Sequence, residues 1–241
     1  MSSLARPAVR GLRHRAFAYI LLTVLLAGAI ALLGAPFLAL STLAPWKTLT
    51  VLVVGAGVVL AGLPSHHPFP KLGIANQITL ARGALIALLA GFVGEASSAR
   101  IEMAVLVTAI IAASLDSLDG RVARRTGMSS AFGARLDMET DAALILILSV
   151  LAWQFDKAGA WVLLAGLLRY LFVTASMFLA WLRQPLPPSF RRKTIAALQM
   201  AGLIVTLTPF IPPPFSSAAA AVTLALLGYS FLIDIVWLKK L

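Results

Sequence analysis

The chain has 241 residues, of which 60% are hydrophobic and 12% charged, and its mean hydropathy is +0.94. Soluble domains carry about a quarter charged residues, so a water-soluble globule is excluded. A disordered chain is excluded too, since disorder needs little apolar mass and much charge. No cysteine is present, which removes disulfides, thiolate metal sites and cysteine nucleophiles. The net charge is +11, from 20 Lys and Arg against 9 Asp and Glu. In so apolar a chain that excess points to an anionic lipid surface before nucleic acid.

A helix that crosses a bilayer needs about 20 mostly apolar residues. Eight runs qualify in chain order: 16–40, 48–63, 76–94, 101–118, 136–155, 159–182, 195–212 and 217–238. Pro45, the stretch 64-PSHHPFPK-71, the basic segment 120–135, 183-RQPLPPSFRRK-193 and 212-PPP-214 separate them. The expected fold class is all-α, a polytopic membrane protein of about eight spans. The first run is too long for the apolar stretch of a cleaved signal peptide. No internal repeat is visible, which argues against an inverted-repeat transporter.

The distribution of Lys and Arg sets an expected orientation. With the N-terminus in the cytoplasm, the inner segments hold fifteen, and the opposite side holds Lys47, Arg100 and Lys157 alone. Arg82 and Arg169 fall inside apolar runs. Both termini are therefore expected in the cytoplasm. The four arginines of 1–15 read as an orientation signal, with a lipid-surface helix as the alternative. Tryptophans 46, 161, 181 and 237 lie near run ends, as interfacial aromatics do.

Five of the nine acids lie between 116 and 141. Asp116 and Asp119 are three apart at the end of the fourth run; Asp137 and Asp141 are four apart at the start of the fifth. On a helix either spacing puts the pair on one face. Glu139 is out of phase with its neighbours. Two antiparallel helices joined by a short loop would bring four carboxylates together. Such a group cannot stay ionised without compensating positive charge, and acids at membrane depth mark functional sites. Oxygen ligands without His or Cys suit Mg²⁺, Mn²⁺ or Ca²⁺. A pair of such ions is common apparatus for displacement at phosphorus. The plainer alternative is that each Asp pairs with Arg121, Arg124, Arg125 or Arg135 at the interface.

The stretch 116-DSLDGRVARRTGMSSAFGARLDMETD-141 reads D-x2-D-G-x2-A-R-x8-G-x3-D-x3-D. It resembles the signature of the CDP-alcohol phosphotransferase family at every defining position: Asp116, Asp119, Gly120, Ala123, Arg124, Gly133, Asp137 and Asp141. The preceding 76-NQITLAR-82 is similar to the N-x2-T-x2-R run that opens the family's six-helix core. The resemblance covers about residues 71–238. It divides the chain into 1–70, a basic segment with two extra transmembrane helices, and 71–241, the phosphotransferase domain.

Members of that family move a phosphoalcohol from a CDP-linked donor to a hydroxyl and release CMP. By resemblance, Asp116, Asp119, Asp137 and Asp141 hold two Mg²⁺ or Mn²⁺ ions. Asp141 also takes the proton of the incoming hydroxyl, and Asn76, Thr79, Gly120, Arg124 and Ser130 contact the donor. CDP-diacylglycerol is the implied donor, a homodimer the implied assembly, and a multi-pass inner membrane protein with a cytoplasmic site the implied setting. The basic residues Arg135, Arg169, Arg192 and Lys193 are candidates for a phosphorylated acceptor, with Arg191 beside them. Topology-setting charge is the alternative for 191–193, and a structural partner or snorkelling for Arg169. Glycerol 3-phosphate is the first acceptor to expect; serine and inositol phosphate stay open, because 189-SFRRKT-194 only loosely matches the family's usual stretch there. Arg82 either faces the site or is structural. His66 and His67 are adjacent but lack the spacing of a metal site. A divalent-cation transporter or channel could use the same carboxylates, but it leaves Gly120, Ala123, Arg124 and Gly133 unexplained.

Overall fold

Long runs of Leu, Ala, Val and Ile with few breakers form helices, and in lipid a helix satisfies every backbone polar group internally. The computed structural model describes residues 5–66, 69, 71–126 and 130–240; within them the side chains of 5–13, 15, 64–66, 117, 119, 123 and 124 lie outside the description. His66 as a side chain, and His67 altogether, thus lie outside the described residues. The described residues form eight α-helices, two 3-10 turns and no strand. The helices are α1 (Ala5–Phe37), α2 (Ala44–His66), α3 (Ile74–Gly91), α4 (Ala99–Thr126), α5 (Ala131–Gln154), α6 (Leu163–Phe178), α7 (Phe190–Thr206) and α8 (Phe215–Lys239). The all-α expectation and the eight runs agree with them.

Among the described residues six segments are long and apolar enough to span a membrane: those of α1 to α4, Ala160–Phe178 and Phe215–Lys239. α5 and α7 differ for visible reasons. α5 carries Arg135, Asp137, Glu139 and Asp141 in its first half. α7 has 17 residues and opens on Arg191, Arg192 and Lys193. Large apolar side chains such as Leu33, Phe37 and Phe178 are exposed, as a chain in contact with lipid requires.

Two compact units divide the chain: residues 1–96 with 107–141, and residues 97–106 with 142–241. In the first unit α1, α2 and α3 pack on one another. One apolar cluster joins Ala16, Ile20, Val59, Leu63, Leu72 and Phe132; a second joins Ala27, Leu52, Ala84 and Ala87. Small residues let the backbones approach, because lipid gives apolar faces no reason to pair except close packing. A Cβ on Gly91 would stand 2.5 Å from Thr48 Oγ1. A polar clasp closes one end. Lys47 Nζ donates to Glu95 Oε1 at 2.8 Å and to the Val93 carbonyl at 2.6 Å. The Ser41 N–H and hydroxyl each donate to the same carboxylate at 2.7 Å.

In the second unit α7 and α8 pair extensively. A Cβ on Gly202 would clash with Thr223 Cγ2, and one on Gly166 would meet the Leu146 Cα at 2.5 Å. Lys157 Nζ pairs with Glu102 at 3.0 Å, and the Lys157 carbonyl accepts from the Ser216 hydroxyl at 2.7 Å. Asp234 holds Arg191 Nη2 at 2.5 Å and Arg192 Nη1 at 3.2 Å. Arg191 also donates to the Ser230 carbonyl and hydroxyl at 2.7 and 2.8 Å.

Two predictions follow from this packing. Gly166→Ala must displace backbone at Leu146, and should lower the melting temperature in detergent with a loss of about 1–3 kcal/mol. Gly55→Ala, with nothing within 4 Å, should be neutral or stabilising by up to ~1 kcal/mol. The second concerns pH. Burial alone would raise the Glu95 carboxyl, but hydrogen bonds from Lys47 and Ser41 and the Lys47 charge hold it below the ordinary carboxylate range. Its stabilisation is present above that range and lost as pH falls through the depressed folded value. Glu95→Gln should therefore melt below the unmutated protein at neutral pH, and the two curves should converge on acidification.

Candidate metal and phosphate site

The site is built in the first unit from one face of each of three helices. On α3, Asn76, Thr79 and Arg82 recur at three-residue spacing, and all three are buried. Arg82 is 0% exposed. α4 brings Asp116, and α5 brings Asp137 and Asp141 one turn apart.

Their meeting point is the Arg82 guanidinium. Nη1 lies 2.9 Å from Asp116 Oδ1 and 2.7 Å from Asp137 Oδ1, and Nη2 pairs with Asp141 Oδ1. One oxygen from each carboxylate lies within 4.8 Å of the other two. The arginine is sealed, whereas the three aspartate side chains are 39–42% exposed. The charge is thus anchored from beneath and open above. Among the described side chains three carboxylates crowd around the guanidinium of Arg82, and further cations would relieve that crowding. The donor set is all oxygen and partly exposed, so a hard divalent ion fits it.

The motif glycine has a steric reason. A Cβ on Gly133 would lie 2.7 Å from Asn76 Oδ1 and 3.3 Å from Ser130 Oγ, so α3 and α5 can touch there only without a side chain. Asn76 is oriented by donating Nδ2 to the Leu72 carbonyl at 2.6 Å. Ser130 precedes α5, and its hydroxyl accepts from the Gly133 N–H at 3.0 Å, capping the helix start. The Thr79 hydroxyl donates back to the Ala75 carbonyl at 3.1 Å. Gly120 lies one turn beyond Asp116 on α4.

The structure thus brings together Asp116, Asp137 and Asp141 of the expected metal ligands. The side chains of Asp119 and Arg124 lie outside the described residues. Glu139 is exposed and stands outside the cluster, as its phase implies. Of the acceptor candidates, Arg135 is exposed on α5, and Arg169, Arg192 and Lys193 belong to the second unit. Arg192 is engaged by Asp234 and by the Pro187 carbonyl. Sequence reasoning left Arg82 undecided, although its phase with Asn76 and Thr79 put it on their face. Asp234 was missed; an acid in the last turns of an otherwise apolar helix was the available signal.

The model of the CDP-alcohol phosphatidyltransferase family matches residues 72–232. A Bacillus subtilis (strain 168) protein named CDP-diacylglycerol–glycerol-3-phosphate 3-phosphatidyltransferase is 35% identical over 112 residues, 42% of this chain. The chain spans 58% of that relative's length. No solved structure matches it. With the family model covering most of the chain, and its motif aspartates drawn around one buried arginine, the chain belongs to the CDP-alcohol phosphatidyltransferase family of transferases.

Proposed function

We propose that this chain transfers the phosphatidyl group of CDP-diacylglycerol to the hydroxyl of glycerol 3-phosphate and releases CMP. The observation that carries the reading is the convergence of Asp116, Asp137 and Asp141 on Arg82 within a domain of this family. The name of the Bacillus subtilis relative supports the donor and the acceptor. The membrane-length helices suit a donor whose acyl chains stay in lipid.

The residues divide the work. Asp116, Asp119, Asp137 and Asp141 would hold two Mg²⁺ or Mn²⁺ ions, which supply neutralisation of the diphosphate charge when bound. Asn76, Thr79, Gly120, Arg124 and Ser130 would contact the donor. Arg135, Arg169, Arg192 and Lys193 are the candidates for the acceptor phosphate, and for Arg192 a phosphate would compete with Asp234. The acceptor oxygen bonds to the phosphorus that carries diacylglycerol. The bond from that phosphorus to the CMP oxygen breaks, and the hydroxyl proton passes to Asp141. Arg82 keeps Asp137 and Asp141 in place, so positioning does much of the catalysis. Residues 71–241 form the transferase domain, a homodimer the assembly, and the cytoplasmic face of the inner membrane the setting.

The test is CMP release by the detergent-purified protein with CDP-diacylglycerol, Mg²⁺ or Mn²⁺, and a panel of glycerol 3-phosphate, inositol phosphate and serine. Glycerol 3-phosphate should give the fastest release, and chelation should stop it. Asp141→Asn should lower turnover by about 10²–10⁴-fold with nucleotide still bound. Release that survives chelation, or an active Asn variant, overturns the mechanism. Preference for another acceptor overturns the acceptor assignment alone.

A further inference from the structure

The helices α1 and α2 lie outside the residues that match the family, which begin at 72. Nothing in the proposed chemistry uses them. Their inner faces nonetheless reach the residues on which the site is mounted. Ala16 and Ile20 of α1, and Val59 and Leu63 of α2, share one buried cluster with Leu72 and Phe132, and Tyr19, Leu60 and Leu136 pack against it.

Two members of that cluster are chain neighbours of motif residues, and two more reach the first turn of α3 by hydrogen bonds. Phe132 precedes Gly133, the glycine against Asn76. Leu136, one turn on, precedes Asp137. The Leu72 carbonyl fixes the Asn76 amide. The Tyr19 hydroxyl donates to the Gln77 carbonyl at 3.1 Å, on the residue after Asn76. The Phe132 ring lies over Gly62, where a Cβ would stand 3.5 Å from its Cε2. The first turns of α3 and α5 are thus held by the hairpin close to where they carry Asn76 and Asp137.

We propose that the α1–α2 hairpin is the positioning element of the nucleotide end of the site, with Phe132 and Tyr19 as its positioning residues. The hairpin presses α5 against α3 at the Gly133–Asn76 contact. That contact sets where Asn76, Ser130 and Asp137 stand relative to one another. It bears first on the CDP end: of the acceptor candidates, Arg135 alone shares α5 with Phe132. The inference rests on the proposed use of Asn76 and Ser130 toward the CDP donor.

The experiment compares Phe132→Ala, Phe132→Leu and Tyr19→Phe in the full chain in detergent, with two readouts. The first is CMP binding by calorimetry with Mn²⁺ present, which needs no turnover. The second is KM for each substrate. Phe132→Ala should weaken CMP binding and raise KM for CDP-diacylglycerol about ten-fold, with a clearly smaller change in KM for the acceptor. Phe132→Leu should recover most of the loss, because a large apolar side chain again fills the space over Gly62. Tyr19→Phe, which removes only one hydroxyl, should weaken CMP binding a few-fold. CMP binding unchanged in Tyr19→Phe and Phe132→Leu while Phe132→Ala fails to fold would overturn the proposal, since the ring would then serve stability alone. Equal KM changes for both substrates would overturn it as well. If the unmutated protein binds CMP but releases none from any acceptor, the transferase reading fails while the binding series still decides the hairpin's role.

Discussion

A guanidinium sealed inside an apolar helix is the constraint on which the first unit depends. Arg82 is 0% exposed, and it can be there only because carboxylates from two other helices meet it. The rotations of α3, α4 and α5 about their axes are therefore tied together. Turning α3 would take Arg82 from all three carboxylates, and turning α4 or α5 would strip some of them from it. The same arrangement gathers three partly exposed carboxylates, so a stability device also presents the oxygen ligands that a hard cation would take.

Helices and motif were legible because both are local. Apolar runs bounded by Pro and charge mark the helices, and D-x2-D and D-x3-D put each pair of acids on one face. What stayed hidden was pairing across long separations. Arg82 meets Asp141 across 59 residues of chain, and Arg191 meets Asp234 across 43. Spacing tells which face a side chain occupies, never which helix comes to meet it. The count of spans illustrates a second limit: in α5 the carboxylates that make the site also lower the hydropathy that would mark a span.

The N-terminal helices show why an all-apolar sequence conceals its partners. In lipid, both the outward and the inward face of α1 are apolar, so hydrophobicity cannot separate them. Side-chain size can. Ala16, Ala27, Gly28 and Ala35 are buried, whereas Leu25, Leu33 and Phe37 are exposed. Small residues make up most of the inner stripe, with Ile20 as its large member, and the bulk of the large side chains face outward. Read by size, α1 declares an inner stripe that its hydropathy does not.

α3 joins these observations. Its C-terminal end is pinned to α2 through Gly91 beneath Thr48, and the loop beyond is held by the Glu95 clasp. Its N-terminal turn is held by Tyr19 through the Gln77 carbonyl. A helix fixed at both ends cannot slide to relieve the misfit of a charge in its middle, so the three aspartates must come to Arg82. Apolar packing alone is weakly directional in lipid, where sliding one smooth helix along another changes little. The polar contacts at the ends supply the register that packing lacks. A fold that places an ionic cluster at membrane depth needs that register, because an ångström of slip there breaks charged hydrogen bonds rather than exchanging one apolar contact for another.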